Sequence, residues 1–175
     1  NRLGFPIILK CKMSSSTNIP ITHMFTDESN HTRFKQKYLP LEPKEGLGSI
    51  GSFSSLFVNP ILRDNSGDIK MQFAVTPVPE KSDGEGPKLA HTAPRRQLVI
   101  TLDGYLEFKS CGVEKIDDDH QAIISKGQIL LADDLEGAGH VWSFLKDEKG
   151  LMHPWVRCYV HLGEEYDHFI SKLKD

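Results

Sequence analysis

Two stretches of the chain carry side chains that chemistry can use. The first runs His91-Thr92-Ala93-Pro94-Arg95-Arg96-Gln97 and reaches Gly104 after six more residues. The second opens at Gly127 and runs through Asp133, Asp134, Glu136 and Gly139 to His140. Imidazole carries protons near neutral pH and binds Fe, Ni, Cu and Zn. A guanidinium such as Arg95 or Arg96 can hold a carboxylate through paired N–H donors. If these segments are strands, residues of equal parity share a face. Gln97, Val99 and Thr101 then look one way, with Arg95 if the strand starts early. His140, Trp142 and Phe144 share a face on another strand. An inward His140 brings both aromatics with it, giving a mostly apolar pocket with a few polar groups. Trp155, Arg157, Tyr159 and His161 share a third face, which suits either pocket lining or a dimer surface.

Each of these residues also has a plainer reading. His91 follows a Gly/Pro-rich loop that suits a solvated imidazole. Gln97 suits a buried amide bonded to a neighbour. His140, after Gly139, suits a loop cap, and the aromatics suit core packing. Asp117-Asp118-Asp119-His120 is expected to be a solvated turn, because side chains in so tight a run cannot all converge. His153 and His161 read as surface residues rather than ligands.

Together the two stretches resemble the motifs of the cupin superfamily. Its first motif is G-x5-H-x-H-x3,4-E-x6-G; His91 fits the first His, Gln97 stands at the Glu and Gly104 at the closing Gly. Its second is G-x5-P-x-G-x2-H-x3-N; Gly127 fits the opening Gly and His140 the His. Ala93 replaces the second His, Asp133 replaces the Pro, and Phe144 stands where Asn would be. His140 comes two residues late, so the loop before it is longer. The run from Ala93 to Gln97 resembles that of a subgroup of small cupins, and the resemblance covers about residues 50 to 162.

The resemblance implies an all-β, double-stranded β-helix (jelly-roll barrel) and a divalent metal (Fe, Mn, Ni or Zn). The inherited ligands are His91, Gln97 and His140. Two imidazoles and a neutral amide bring no charge to offset the cation, so the metal is expected to be weakly held; Asp133, Asp134 or Glu136 could supply the missing anion. The expected pocket residues are Arg95, Arg96, Val99, Asp133, Trp142 and Phe144. Two functions follow. One is a binding or sensing pocket for a small molecule without turnover. The other is a metal-dependent dioxygenase or isomerase acting on a small, carboxylate-bearing substrate. A homodimer is expected as well, because small cupins commonly pair through their sheets.

The elements that must position these residues are short. Ile69 to Val78 reads as a strand with Met71, Phe73 and Val75 on one side. Gln97 to Leu102 and Tyr105 to Phe108, joined by Asp103-Gly104, carry a hairpin signal. Ala122 to Ser125 and Ile129 to Ala132 flank a turn at Lys126-Gly127, and His140 to Leu145 and Trp155 to Leu162 complete the set. Phe53, Leu56, Phe57 and Val58 form a further short apolar run. One helix is expected at the end, where Tyr166, Phe169, Ile170 and Leu173 follow helical spacing behind Glu164-Glu165. Many short strands with frequent turns indicate a sandwich or barrel over residues 50–175. Residues 1–49 read as a mostly irregular arm, polar and rich in Pro, Ser and Gly from residue 14 onward.

Composition narrows the function classes. The chain has 175 residues, 38% of them hydrophobic, with 21 Lys and Arg against 24 Asp and Glu. That suits one domain with a core. A net charge of −3 and no basic stripe argue against nucleic acid as a partner. No apolar run approaches the ~20 residues of a membrane helix. Cys11, Cys111 and Cys158 are too widely spaced for a disulfide framework and suggest reduced thiols in the cytoplasm. Residues 3 to 9 are too short and interrupted for a signal core, so no export signal is expected. Met13 resembles a start, which leaves residues 1 to 12 as upstream sequence.

Overall fold

The computed structural model describes residues 18–44, 48–51, 71–79, 90–163 and 166–175. The apolar run at 53–58 and the pair Glu164-Glu165 lie outside them. Among these residues ten strands form two sheets: β1 (Asn18–Thr26), β2 (Thr32–Lys44), β3 (Gly48–Gly51), β4 (Met71–Thr76), β5 (Gln97–Asp103), β6 (Tyr105–Ser110), β7 (Gln121–Ser125), β8 (Ile129–Asp133), β9 (His140–Phe144) and β10 (Trp155–His161). A short helix, α1, spans Tyr166–Ile170. The large sheet has seven strands in the order β3-β2-β1-β8-β5-β10-β4, and the small one has three in the order β7-β6-β9. Among these pairs only β1 with β8 is parallel. The all-β class is as expected.

Two local expectations need correction. The polar segment from residue 18 to 44 is not an irregular arm. It forms β1 and β2, and β1 lies inside the large sheet between β2 and β8. Pro20 argues against an interior strand because it has no N–H for the ladder. It is tolerated because pairing with β8 begins one residue later, at Ile21 opposite Ile129. Asp103-Gly104 does not close a hairpin either. β5 belongs to the large sheet and β6 to the small one, so this turn is a corner between them. Gly104 has φ +121, and a Cβ there would stand 3.2 Å from the Trp155 backbone. Glycine answers both demands.

The large sheet buries both faces, and strand alternation divides its residues. Ile21, Leu98, Leu131, Cys158 and Val160 pack beneath α1 with Phe169. Met24, Val99, Leu130, Ala132 and Trp155 face the small sheet, where they meet Leu106, Phe108, Ile124, Trp142 and Phe144. The described part of β4 turns its apolar residues outward, with Phe73 66% and Val75 64% exposed. No helix among the described residues is long and apolar enough to cross a membrane.

Candidate functional site

Between the sheets lies a cavity of about 350 Å³, at the small end of the range for small-molecule sites. Its floor is apolar and aromatic: Met24, Val99, Phe108, Leu130, Ala132, Trp142 and Trp155. Its rim is polar and exposed, with Gln72, His91 and Arg95. Trp155 is fixed edge-on against Trp142 and Phe108, with centroids 5.0 and 5.7 Å away, and its indole N–H reaches Thr101 Oγ1 at 3.4 Å. Both tryptophans of the chain therefore line one cavity.

His91 and His140 come from separate segments and meet through their backbones. His91 N–H donates to the His140 carbonyl at 3.1 Å, and His140 N–H to the His91 carbonyl at 2.9 Å. Their rings stand 4.5 Å apart. This approach depends on Gly139, where a Cβ would lie 2.5 Å from the His91 carbonyl oxygen. His91 is at the rim, whereas His140 is 4% exposed.

Asp134 sets the state of His140. It is fully buried at 0% exposure. Its Oδ2 lies 2.6 Å from His140 Nδ1 and accepts from Thr32 Oγ1 at 3.1 Å. Its backbone oxygen accepts Ala93 N–H at 3.1 Å. A carboxylate accepts from Nδ1–H, so His140 is held in the tautomer that leaves Nε2 as an acceptor. Asp134 lies one residue beyond β8, in the lengthened loop, where the sequence raised it as a candidate anion without a partner to assign.

Gln97 opens β5 and is 7% exposed. It lines the cavity, and its side-chain amide bonds to no other described residue. Its amide opens onto the cavity rather than onto a protein partner, so at this position it favours the fold no more than an apolar residue would. Arg95 faces the cavity mouth, where its Nη1 lies 3.4 Å from His161 Nδ1.

The other expected residues lie outside this cavity. Asp133 follows Ala132 on β8 and so turns to the opposite side, and Arg96, in the bend just before β5, meets it there. There Arg96 Nε donates to Asp133 Oδ1 at 2.8 Å, and its guanidinium lies 4.3 Å above the Tyr166 ring. The Tyr166 hydroxyl donates to Asp133 Oδ2. His23 Nε2 stands 3.5 Å from the same oxygen, an ion-pair distance rather than a hydrogen bond. Burial pushes the Asp133 carboxyl up, but these donors outweigh it and hold its pKa below the ordinary value. Burial and the Asp133 carboxylate both raise the Tyr166 phenol. Phe144 also lies outside the lining and packs in the core against Trp142, 5.3 Å away. Conversely, Trp155, Arg157, Tyr159 and His161 join the cavity. Their shared parity had allowed this without deciding between pocket and dimer surface.

The donor set does not fit a tightly held divalent metal. Among the described residues no three His, Cys, Asp or Glu side chains are grouped to share one ion. His91, Gln97 and His140 all line the cavity, but they carry no anionic charge, and the nearest carboxylate, Asp134, is engaged with His140 Nδ1. No family model, curated protein or solved structure matches the chain.

Proposed function

We propose that this chain is a jelly-roll domain of cupin type that binds a small organic molecule between its sheets. The observation that carries the reading is the Gln97 amide, which bonds to no other described residue, beside His140, whose ring Asp134 orients, both on the wall of an otherwise aromatic cavity. Leucine would pack that wall as well as the amide does at position 97, so the amide is accounted for by a ligand. The reading as a pocket without metal-dependent turnover is supported over a dioxygenase or isomerase by the uncharged ligand set. The two cupin-like stretches support the jelly-roll assignment, since they bring His91 and His140 onto one cavity wall.

Tryptophan emission tests this reading, because both indoles of the chain line the cavity. Titration with small aromatic and aliphatic compounds is expected to give a saturable change for at least one class. Val99→Phe, which fills the cavity from β5, should abolish that change. No saturable response from any class, or a response that survives Val99→Phe, would contradict the proposal.

A further inference from the structure

Resting on that cavity reading, the geometry points to the ligand class: we infer that Arg157 receives the carboxylate of a ligand whose flat, unsaturated body lies on the aromatic wall. Arg157 sits on β10 and faces the cavity. A guanidinium has five N–H donors. Here Nε donates to the Tyr159 hydroxyl at 2.5 Å, and Nη1 donates to Thr76 Oγ1 at 2.8 Å and to the Trp155 carbonyl at 3.2 Å. All three acceptors are neutral. The two N–H bonds of Nη2 have no acceptor among the described residues, and no described carboxylate pairs with this cation.

Arg95, at the same cavity, is exposed and reaches only His161, and the other two described arginines are paired with carboxylates. Arg33 pairs with Asp27 at 2.7 Å, and Arg96 with Asp133 at 2.8 Å. Arg157 is half-buried without such a partner, and a desolvated cation lacking an anion is costly. It is nonetheless held in place, its Cζ lying over the Trp155 ring at 3.9 Å from the centroid and over that of Tyr159 at 5.2 Å. Stacking and three neutral bonds hold the guanidinium in place while leaving one end for an anion. The surfaces beside it are ring faces and edges, which favour a planar body over a branched one.

Titration calorimetry on the full chain tests this with benzoate, its neutral isostere benzamide, and acetate. Benzoate is expected to bind at least about tenfold more tightly than either, a difference of about 1.4 kcal/mol. Arg157→Gln should remove the preference for benzoate over benzamide. Arg157→Lys, which keeps the charge but loses the stacked fork, should reduce it, and this variant decides the matter if Arg157→Gln unfolds. Equal binding of benzoate and benzamide would overturn the assignment of Arg157 while leaving the cavity reading intact. Acetate binding as tightly as benzoate would overturn the flat body. Failure of all three probes to bind would count against the inference and the cavity reading together.

Discussion

The two faces of the seven-stranded sheet are built from the same strands and solve different problems. On the helix side, β5, β8 and β10 present Leu98, Ile129, Leu131, Cys158 and Val160 to α1. On the inner side the same strands present Gln97, Val99, Thr101, Arg157, Tyr159 and His161, with Leu130 and Ala132 between them. Both faces are covered, so burial alone would favour an apolar run on each. The helix side follows that rule except at the Arg96–Asp133–Tyr166 cluster, whose charges are paired with one another. The inner side gives up packing to hold an amide, a guanidinium and imidazoles around a cavity. Departures from local packing logic concentrate at functional sites; on the helix side the polar groups are paired with one another, whereas on the inner side Gln97 and the Nη2 of Arg157 have no partner among the described residues.

Substitutions that treat the two faces alike should give opposite results. Phe169→Ala removes a fully buried ring from the helix side and is expected to cost about 4 kcal/mol in urea unfolding. Ligand response at the tryptophans should survive it under conditions where the variant stays folded. Asp134→Ala strips the acceptor from His140 and Thr32 and should cost about 3 kcal/mol. Unlike the first change, it should also weaken binding, because His140 loses its fixed tautomer.

Asp133→Asn tests the ion cluster on the helix side, with an expected loss of about 2 kcal/mol at neutral pH. The pKa of Asp133 is lowered in the folded state, so its contribution is present above the unfolded carboxylate value of about 4 and fades as pH falls through the lower folded value. The stability gap between Asp133→Asn and the parent should therefore narrow below about pH 4, as measured by urea unfolding across pH. Gln97→Leu has the smallest expected effect on stability, within about 0.5 kcal/mol or slightly favourable, because the amide has no partner to lose. A large loss of stability with unchanged ligand response would reverse the interpretation of the inner face.

Much of this contrast was legible in the sequence where period-2 alternation is undisturbed. The parity of Gln97, Val99 and Thr101, and of Arg157, Tyr159 and His161, places each set on one face. Parity could not say which face was inward, since that depends on which strands pair, and so Arg157 stayed open between a pocket and a dimer surface. Arg95 and Arg96 are both expected in the pocket from the sequence; they lie in the bend before β5, where alternation does not reach, and only Arg95 lines the cavity. β1 was hidden by Pro20 and by polar flanks, because its place in the sheet comes from pairing with a strand more than a hundred residues away. The Asp134–His140 contact was hidden for a different reason: Asp134 lies in a loop whose path no periodicity constrains. Asp103-Gly104 signalled a reversal correctly, but local residues cannot tell a hairpin from a corner between sheets.

The central claim is that the inner face exists for a ligand. The most direct measurement is the ¹⁹F spectrum of protein labelled with 5-fluorotryptophan, which carries one resonance for each of its two tryptophans. On titration with benzoate, the resonances of Trp142 and Trp155 are expected to move together along one saturating curve, and Arg157→Gln should flatten both. If neither resonance responds, or both drift without saturation, the polar groups between the sheets are not a carboxylate-binding site.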